Sequence, residues 1–285
     1  MTVNEWLETW LSIITPIRSP RTISGYRYAL VHLPEDVRQL QLEQLTPPVW
    51  QKAINTVYGL LPRQAQLMHA ALRAAWRFGQ KQQVIPPDRS PWQYVSCPSY
   101  TPKPILYLTP EEMSSYVRAA RETDAPLPLL LMLLLGLRRG EALGLKWSDI
   151  DEKSMVIRIS RQIVNGVECK PKSASSVRVV PICAEIQAFL HQYGDKSSCF
   201  CYNGSSRCVY EAHREALAAA QLPPGVTLHG LRHSCATAAL SIGVPITAVQ
   251  HLLGHRHFTT TAGIYSHVLI NPQRAAVSSL CEMAC

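Results

Sequence analysis

The sequence lacks three things that would each have pointed to a class of protein: a membrane-length apolar run, a cysteine pair at C-x-x-C spacing, and a carboxylate cluster beside its histidines. The longest apolar run, Leu127 to Leu135, contains Pro128 and is followed by Arg138 and Arg139. A bilayer span needs about twenty apolar residues, so this run reads as a buried helix. No basic-then-apolar leader opens the chain, and the nine cysteines are odd in number and scattered. That pattern argues against a disulfide framework and for a reducing compartment, with the cytoplasm fitting best. What is present is 285 residues, 47% of them hydrophobic, enough for two globular domains. The formal net charge of +8 suits a polyanionic partner, although many basic proteins have none.

The first third reads as a small all-helical bundle. Thr2 and Glu5 form a capping box ahead of Trp6, Leu7, Trp10, Leu11 and Ile14, which recur at helical spacing until Pro16. Further helices are expected over about Pro20 to His32, Thr46 to Gly59 and Pro62 to Val84, with Thr46 as N-cap and Pro47 at the first helical position. Arg21 and Arg27 on the second helix and Arg63, Arg73, Arg77 and Lys81 on the last could lie along phosphates. An ordinary solvated face accounts for them equally well. Six prolines between Ile85 and Ile105 then remove backbone donors and mark a semi-rigid linker, placing a domain boundary in 86–106.

In the remainder, Thr109, Pro110 and Glu112 give a clear helix start, with a helix to about Arg121. GLRRGEALGLKW follows the apolar run; Gly136 permits a break, and a guanidinium there needs an anion, for which Glu141 is the candidate. A purely structural Arg138–Glu141 ion pair also satisfies these residues. Met155 to Val164 alternates, Asn165-Gly166 signals a type I′ hairpin, and Val177 to Pro181 gives another strand, so a small antiparallel sheet is expected. Lys170 and Lys172 lie in the connection KPKSASS, which could carry an ammonium toward a ligand or leave it in solvent. Helices are expected over Pro181 to Tyr193 and Tyr210 to Gln221. Cys199, Cys201 and Cys208 near His213 have poor zinc spacing.

The stretch from His229 to His267 concentrates histidines, two arginines and Tyr265 among small and apolar residues. His229, Arg232 and His233 stand at i, i+3 and i+4, one face of a helix that Gly243 and Pro245 terminate; Gly254 ends a second helix just before His255. A third helix, closed by Asn271-Pro272, would carry Tyr265. Arginine forks match phosphate oxygens, and metal-assisted cleavage needs carboxylates, of which this stretch has none. A tyrosine with a reference pKa of about 10 becomes a useful nucleophile only beside positive charge or a base. These residues suit a phosphodiester.

At this point the chain resembles the tyrosine recombinases, of the integrase kind encoded by phages and conjugative transposons. GLRRGEALGLKWSDID resembles the family's first arginine box, PKSASSVRVVPI its hairpin box, HGLRHSCAT its His-x-x-Arg, and LGH and TTAGIYSHV its last two motifs. The resemblance implies a mainly α protein with a small antiparallel β-sheet. It consists of an all-helical core-binding domain (1–85), the proline-rich linker (86–106), a mixed α/β catalytic domain (107–270) and a tail (271–285) that docks on a neighbouring protomer or packs on its own chain. The two domains would form a C-shaped clamp around duplex DNA.

The same resemblance implies that Tyr265 is the nucleophile. Arg138, Arg232 and His255 would stabilise the phosphate, Lys172 protonate the leaving oxygen and His229 assist proton transfer, with Glu141 and His233 in support and Arg178 completing the hairpin box as a DNA contact. It implies no metal and no cofactor. The partners would be duplex DNA at attachment sites, a homotetramer of chains that are monomeric when free, and an accessory directionality factor. It further implies that no membrane is involved and that the location is the bacterial cytoplasm, on the nucleoid when bound to DNA. His251, His257 and His267 are read as structural or secondary. Little of the chain precedes the helical unit, which leaves no room for an additional arm-binding domain, so that either the sequence is a truncated one or the enzyme is of a simpler two-domain kind. The alternatives are a Xer-like resolvase, a type IB topoisomerase-like enzyme, or a DNA-binding regulator that keeps the fold without catalysis.

Overall fold

Thr2 Oγ1 accepts a hydrogen bond from the Glu5 N–H at 3.2 Å while the Glu5 carboxylate accepts from the Thr2 N–H at 2.7 Å, the expected capping box. It starts α1 (Val3–Ile14), whose Val3, Trp6, Leu7, Trp10, Leu11 and Ile14 line one buried stripe. In this computed structural model, which describes residues 1–97, 99–100, 104–170 and 177–254, the chain divides into two compact units, Met1–Lys103 and Pro104–Cys285.

In the first unit α1 is followed by α2 (Pro20–Leu30), the short α3 (Glu35–Arg38), α4 (Pro47–Leu60) and α5 (Pro62–Lys81). Its core is aromatic: Trp6, Trp10, Trp50 and Trp76 are all buried, with Trp50 and Trp76 ring centroids 5.9 Å apart. Gly79 is required on α5, because a Cβ there would stand 2.7 Å from both Trp6 and Ile85. Thr46 occupies the N-cap of α4, but its hydroxyl caps nothing; Pro47 and Pro48 leave the first helical positions without N–H donors. The last helix stops three residues short of the expected Val84. Gln83 adopts a left-handed φ of 59°, and the Val84 N–H closes onto the Gly79 carbonyl at 3.0 Å.

The proline-rich stretch is not a free strap. Trp76 Nε1 donates to the Arg89 carbonyl at 2.7 Å, and Gln51 exchanges hydrogen bonds with the Ser96 backbone at 2.9 and 2.8 Å. Prolines that donate nothing still offer carbonyls, and Gln80 Nε2 of α5 donates to those of Pro86 and Pro87 at 3.3 and 3.0 Å. The expected linker 86–106 is therefore shorter than its composition suggested, because residues 86–97 are fastened to the helical unit.

The second unit begins with α6 (Pro110–Ala120), α7 (Pro126–Leu134) and α8 (Arg139–Leu143). Thr109 caps α6 with the full box and Pro110 at the first position, as the sequence dictates. Strands β1 (Ile150–Asp151), β2 (Val156–Ile159), β3 (Gln162–Val164), β4 (Val167–Cys169) and β5 (Arg178–Pro181) follow, then α9 (Ala184–Tyr193), α10 (Ser206–Ala219), α11 (Leu228–Ser241) and α12 (Ile246–Leu253).

The expected single strand over Met155 to Val164 is two strands in two sheets. β2 joins an antiparallel sheet of order β1-β2-β5, with Ile157 opposite Val180, while β3 and β4 form a separate hairpin. The chain changes sheet at Ser160-Arg161, where a polar pair breaks the apolar alternation. Asn165 and Gly166 both take positive φ, as the hairpin turn requires. The core of this unit is α7, buried along nearly its whole length, with Ile157, Ile159 and Val180 of the sheet and Leu228 and Leu231 of α11. Among the described residues no helix is long and apolar enough to cross a membrane.

Candidate active site

Two backbone breaks, at Gly136 and Gly254, help bring the site residues together. Gly136, at φ +62°, ends α7 and turns the chain into Leu137 and Arg138; a Cβ at this position would stand 2.5 Å from Leu253 Cδ2. Arg138 is then the N-cap residue of α8, and Glu141 lies one turn into that helix. Gly254, at φ +65°, ends α12 in the left-handed conformation immediately before His255. α8 lies directly on the β3–β4 hairpin: a Cβ on Gly140 would meet the Ile163 carbonyl at 2.8 Å, and one on Gly144 would meet Gln162 Cα at 3.2 Å. The i, i+4 glycines of GEALG thus seat the arginine turn against the hairpin that precedes Lys172.

Glu141 is the electrostatic centre, only 3% exposed. Its carboxylate accepts from the Arg138 N–H at 2.9 Å and from Arg138 Nη1 at 2.7 Å. It also accepts from Arg178 Nη1 at 3.1 Å and Nη2 at 2.9 Å. Burial pushes its carboxyl up, but the hydrogen bonds and charge of Arg178 and then Arg138 outweigh that and hold it below the usual carboxylate range. Arg232, from the first turns of α11, is one of the largest fully buried side chains; Nη1 donates to the Gly136 carbonyl and Nη2 to the Leu253 carbonyl, each at 2.5 Å. Among the described residues this cluster sets three guanidiniums against one carboxylate, an excess of positive charge. The Arg138 side chain is 35% exposed and supplies the accessible edge.

His229 is the exposed residue of the otherwise buried first turn of α11, where Thr227 Oγ1 accepts from the Gly230 N–H at 3.0 Å. Gly230 lets the Leu106 backbone pass, since a Cβ there would sit 2.6 Å from its carbonyl oxygen. Desolvation, then the charges of Arg232 and Arg138, lower the His229 pKa, so its ring is neutral at neutral pH. His233 packs edge-on against it, centroids 4.8 Å apart, and is held to a pKa of about 4 by burial, His229 and Arg232.

The structure therefore brings Arg138, Glu141, His229, Arg232 and His233 together. Lys172, His255 and Tyr265, with the third helix and the tail 271–285, lie outside the described residues.

Arg178, expected as a DNA contact, has a side chain that is 6% exposed and donates to Glu141 and, from Nε, to the Leu252 carbonyl at 2.7 Å. A buried carboxylate has about four acceptor sites, more than the Arg138 backbone and side chain fill, and the Arg178 fork takes up the rest. The remaining basic residues Arg21, Arg27, Arg63, Arg73, Arg77 and Lys81 are all exposed, and Arg27 lies 3.7 Å from Glu8. Arg63, Arg73, Arg77 and Lys81 fall on one face of α5 at helical spacing. Arg63 and Arg77 stand over the Tyr100 and Trp92 rings, each 5.9 Å from the centroid. His213 is structural, with Nδ1 2.7 Å from the Tyr116 hydroxyl and Nε2 2.9 Å from the Val226 carbonyl.

Residues 107–271 match the phage integrase family. The prophage integrase IntF of Escherichia coli (strain K12) is 29% identical over 82% of this chain and 51% of its own length. The tyrosine recombinase XerA of Thermococcus kodakarensis is 30% identical over 96% of this chain and 93% of its own. The chain thus spans about half the length of IntF and of a further curated relative. The integrase of transposon Tn1549, solved with transposon right end DNA, superposes with a TM-score of 0.78 over 99% of this chain and 100% of that one at 18% identity, a likeness of fold. With the first arginine box built around a buried glutamate and the match spanning most of the second unit, this chain belongs to the phage integrase family.

Proposed function

We propose that the chain is a site-specific DNA recombinase that cuts and rejoins strands through a 3′-phosphotyrosyl link to Tyr265, as the integrase of a mobile element. The observation that carries this reading is the cationic cluster of the described residues, in which Arg138 and Arg178 share the carboxylate of Glu141 and Arg232 is braced beside them on the Gly136 and Leu253 carbonyls, an arrangement that suits an anion. Tyr265 Oη attacks the phosphorus as its proton leaves toward His229. The new P–O bond forms as the bond to the 5′-oxygen breaks, and Lys172 protonates that oxygen. His229, whose pKa is lowered by local desolvation and by the charges of Arg232 and Arg138, presents a neutral ring that can accept the proton. Arg138 and Arg232, with His255, stabilise the charge on the non-bridging oxygens, the dominant contribution in phosphoryl transfer. The covalent link conserves the bond, so a partner strand's 5′-hydroxyl reverses the step without ATP.

In this reading the partners are duplex DNA, contacted in part through the basic face of α5, and three further copies of the chain on two DNA sites. An accessory directionality factor and residence on the nucleoid follow from the same role. A second reading, a Xer-like resolvase, is favoured by the 93% of XerA that the chain spans. The test is incubation with nicked duplexes, selected by the protein from a randomised pool, in excess chelator. A denaturant-stable protein–DNA adduct is expected, and a requirement for magnesium would refute the mechanism. Product topology on paired sites then separates integration from resolution.

A further inference from the structure

The carboxy-terminal end of α12 is held by three guanidiniums from three separate elements. Arg178 Nε, from β5, donates to the Leu252 carbonyl at 2.7 Å; Arg232 Nη2, from α11, to Leu253 at 2.5 Å; and Arg138 Nη2, from the turn before α8, to Gly254 at 3.4 Å. These consecutive carbonyls belong to the last turn, where a helix leaves acceptors unpaired and its dipole is negative. Arg178 has a second attachment. Its Nη1 and Nη2 fork onto the two oxygens of Glu141, and that carboxylate holds Arg138 through Nη1 and through its backbone N–H. One edge of the Arg178 guanidinium therefore fixes the end of α12, on which Arg232 is braced, while the other fixes the carboxylate that aims Arg138. With 6% of its side chain exposed, it is poorly placed to meet DNA itself.

We propose that Arg178 is a positioning residue: through Glu141 and the end of α12 it sets the spacing and angle between the guanidiniums of Arg138 and Arg232. The proposal rests on the strand-transfer reading only for the identity of the anion. A lysine at 178 keeps the charge but has one compact ammonium, which cannot fork onto Glu141 and reach Leu252 at once.

The test uses the full chain and its R178K and R178M forms. Inorganic phosphate is titrated while the Nε–H signals of Arg138 and Arg232 are followed by NMR. DNA affinity and the rate of adduct formation at saturating DNA are then measured separately. R178K is expected to stay folded, to bind phosphate about tenfold more weakly, and to form the adduct about a hundredfold more slowly with DNA affinity within about twofold. Its rate defect should shrink on a duplex bearing a methylphosphonate at the scissile position, because one charged oxygen no longer needs the aligned pair. Unchanged phosphate affinity and rate in R178K would overturn the proposal, whether or not R178M folds. So would a parallel loss of DNA affinity and rate, the mark of a merely structural role, or failure of phosphate to shift either arginine in the wild type. Absence of any adduct in the wild type, with phosphate binding still weakened by R178K, would remove the strand-transfer reading and leave the positioning role standing.

Discussion

Replacing Glu141 by glutamine tests the electrostatic centre with almost no change in volume. The carboxylate is 3% exposed and accepts four hydrogen bonds, from Arg138 Nη1 and N–H and from both Arg178 Nη atoms. Glutamine retains one acceptor oxygen but turns an NH2 toward guanidinium donors, leaving the 6%-exposed Arg178 side chain without its counter-ion. Removing one member of a buried pair costs about 3–5 kcal/mol, because the other charge remains buried. For a unit of this size that corresponds to a fall in Tm of about 10 °C. Differential scanning calorimetry at neutral pH measures it directly.

The pH dependence supplies a second constraint on the same variant. The folded pKa of Glu141 is lowered, so its stabilisation is complete above the unfolded carboxylate value and is lost as pH falls through the folded value. The Tm gap between wild type and Glu141→Gln should therefore narrow on acidification below about 4. A Tm change within about 2 °C at neutral pH, or a gap that persists unchanged into acid, would refute the assignment of Glu141 as the counter-charge.

Three further outcomes follow from the geometry. Gly136→Ala forces a non-glycine residue to φ +62° with its Cβ 2.5 Å from Leu253 Cδ2, and should lower stability in urea by about 1–3 kcal/mol; an unchanged midpoint contradicts the packing described. His233 has its pKa lowered from 6.5 to about 4, so the unfolded chain takes up this proton more readily; stability present above 6.5 is lost as pH falls toward 4, and His233→Phe should flatten that fall, whereas a wild-type slope in the variant would count against burial of the neutral ring. Arg73→Glu combined with Arg77→Glu should weaken DNA binding across all sequences and reduce the salt dependence by about one unit per lost phosphate contact, while an unaltered salt slope would assign this face of α5 to solvent.

Local chemistry made much of this molecule legible. The boxes at Thr2–Glu5 and Thr109–Glu112, the turn at Asn165-Gly166 and the breaks at Gly136 and Gly254 each depend on residues adjacent in sequence, and each appears as read. Arg138, Glu141, His229 and Arg232 were recognisable because they sit in short boxes of fixed spacing. What was not legible depends on distant contacts. Arg178 alternates along a strand like any surface arginine, and only the fold carries it to a glutamate 37 residues away. The division of Met155 to Val164 between two sheets, and the fastening of residues 86–97 by Trp76 and Gln51, are decided by partners that no local pattern names.

The central claim, that Tyr265 makes the bond, is tested most directly by isolating the denaturant-stable adduct formed in chelator on a nicked duplex labelled separately at its 5′ and 3′ ends, and mapping the modified peptide by mass spectrometry. The account predicts a 3′-phosphate on the peptide containing Tyr265, a free 5′-hydroxyl on the released strand, and no adduct from Tyr265→Phe. An adduct that persists in Tyr265→Phe, or a phosphate of the opposite polarity, would contradict it.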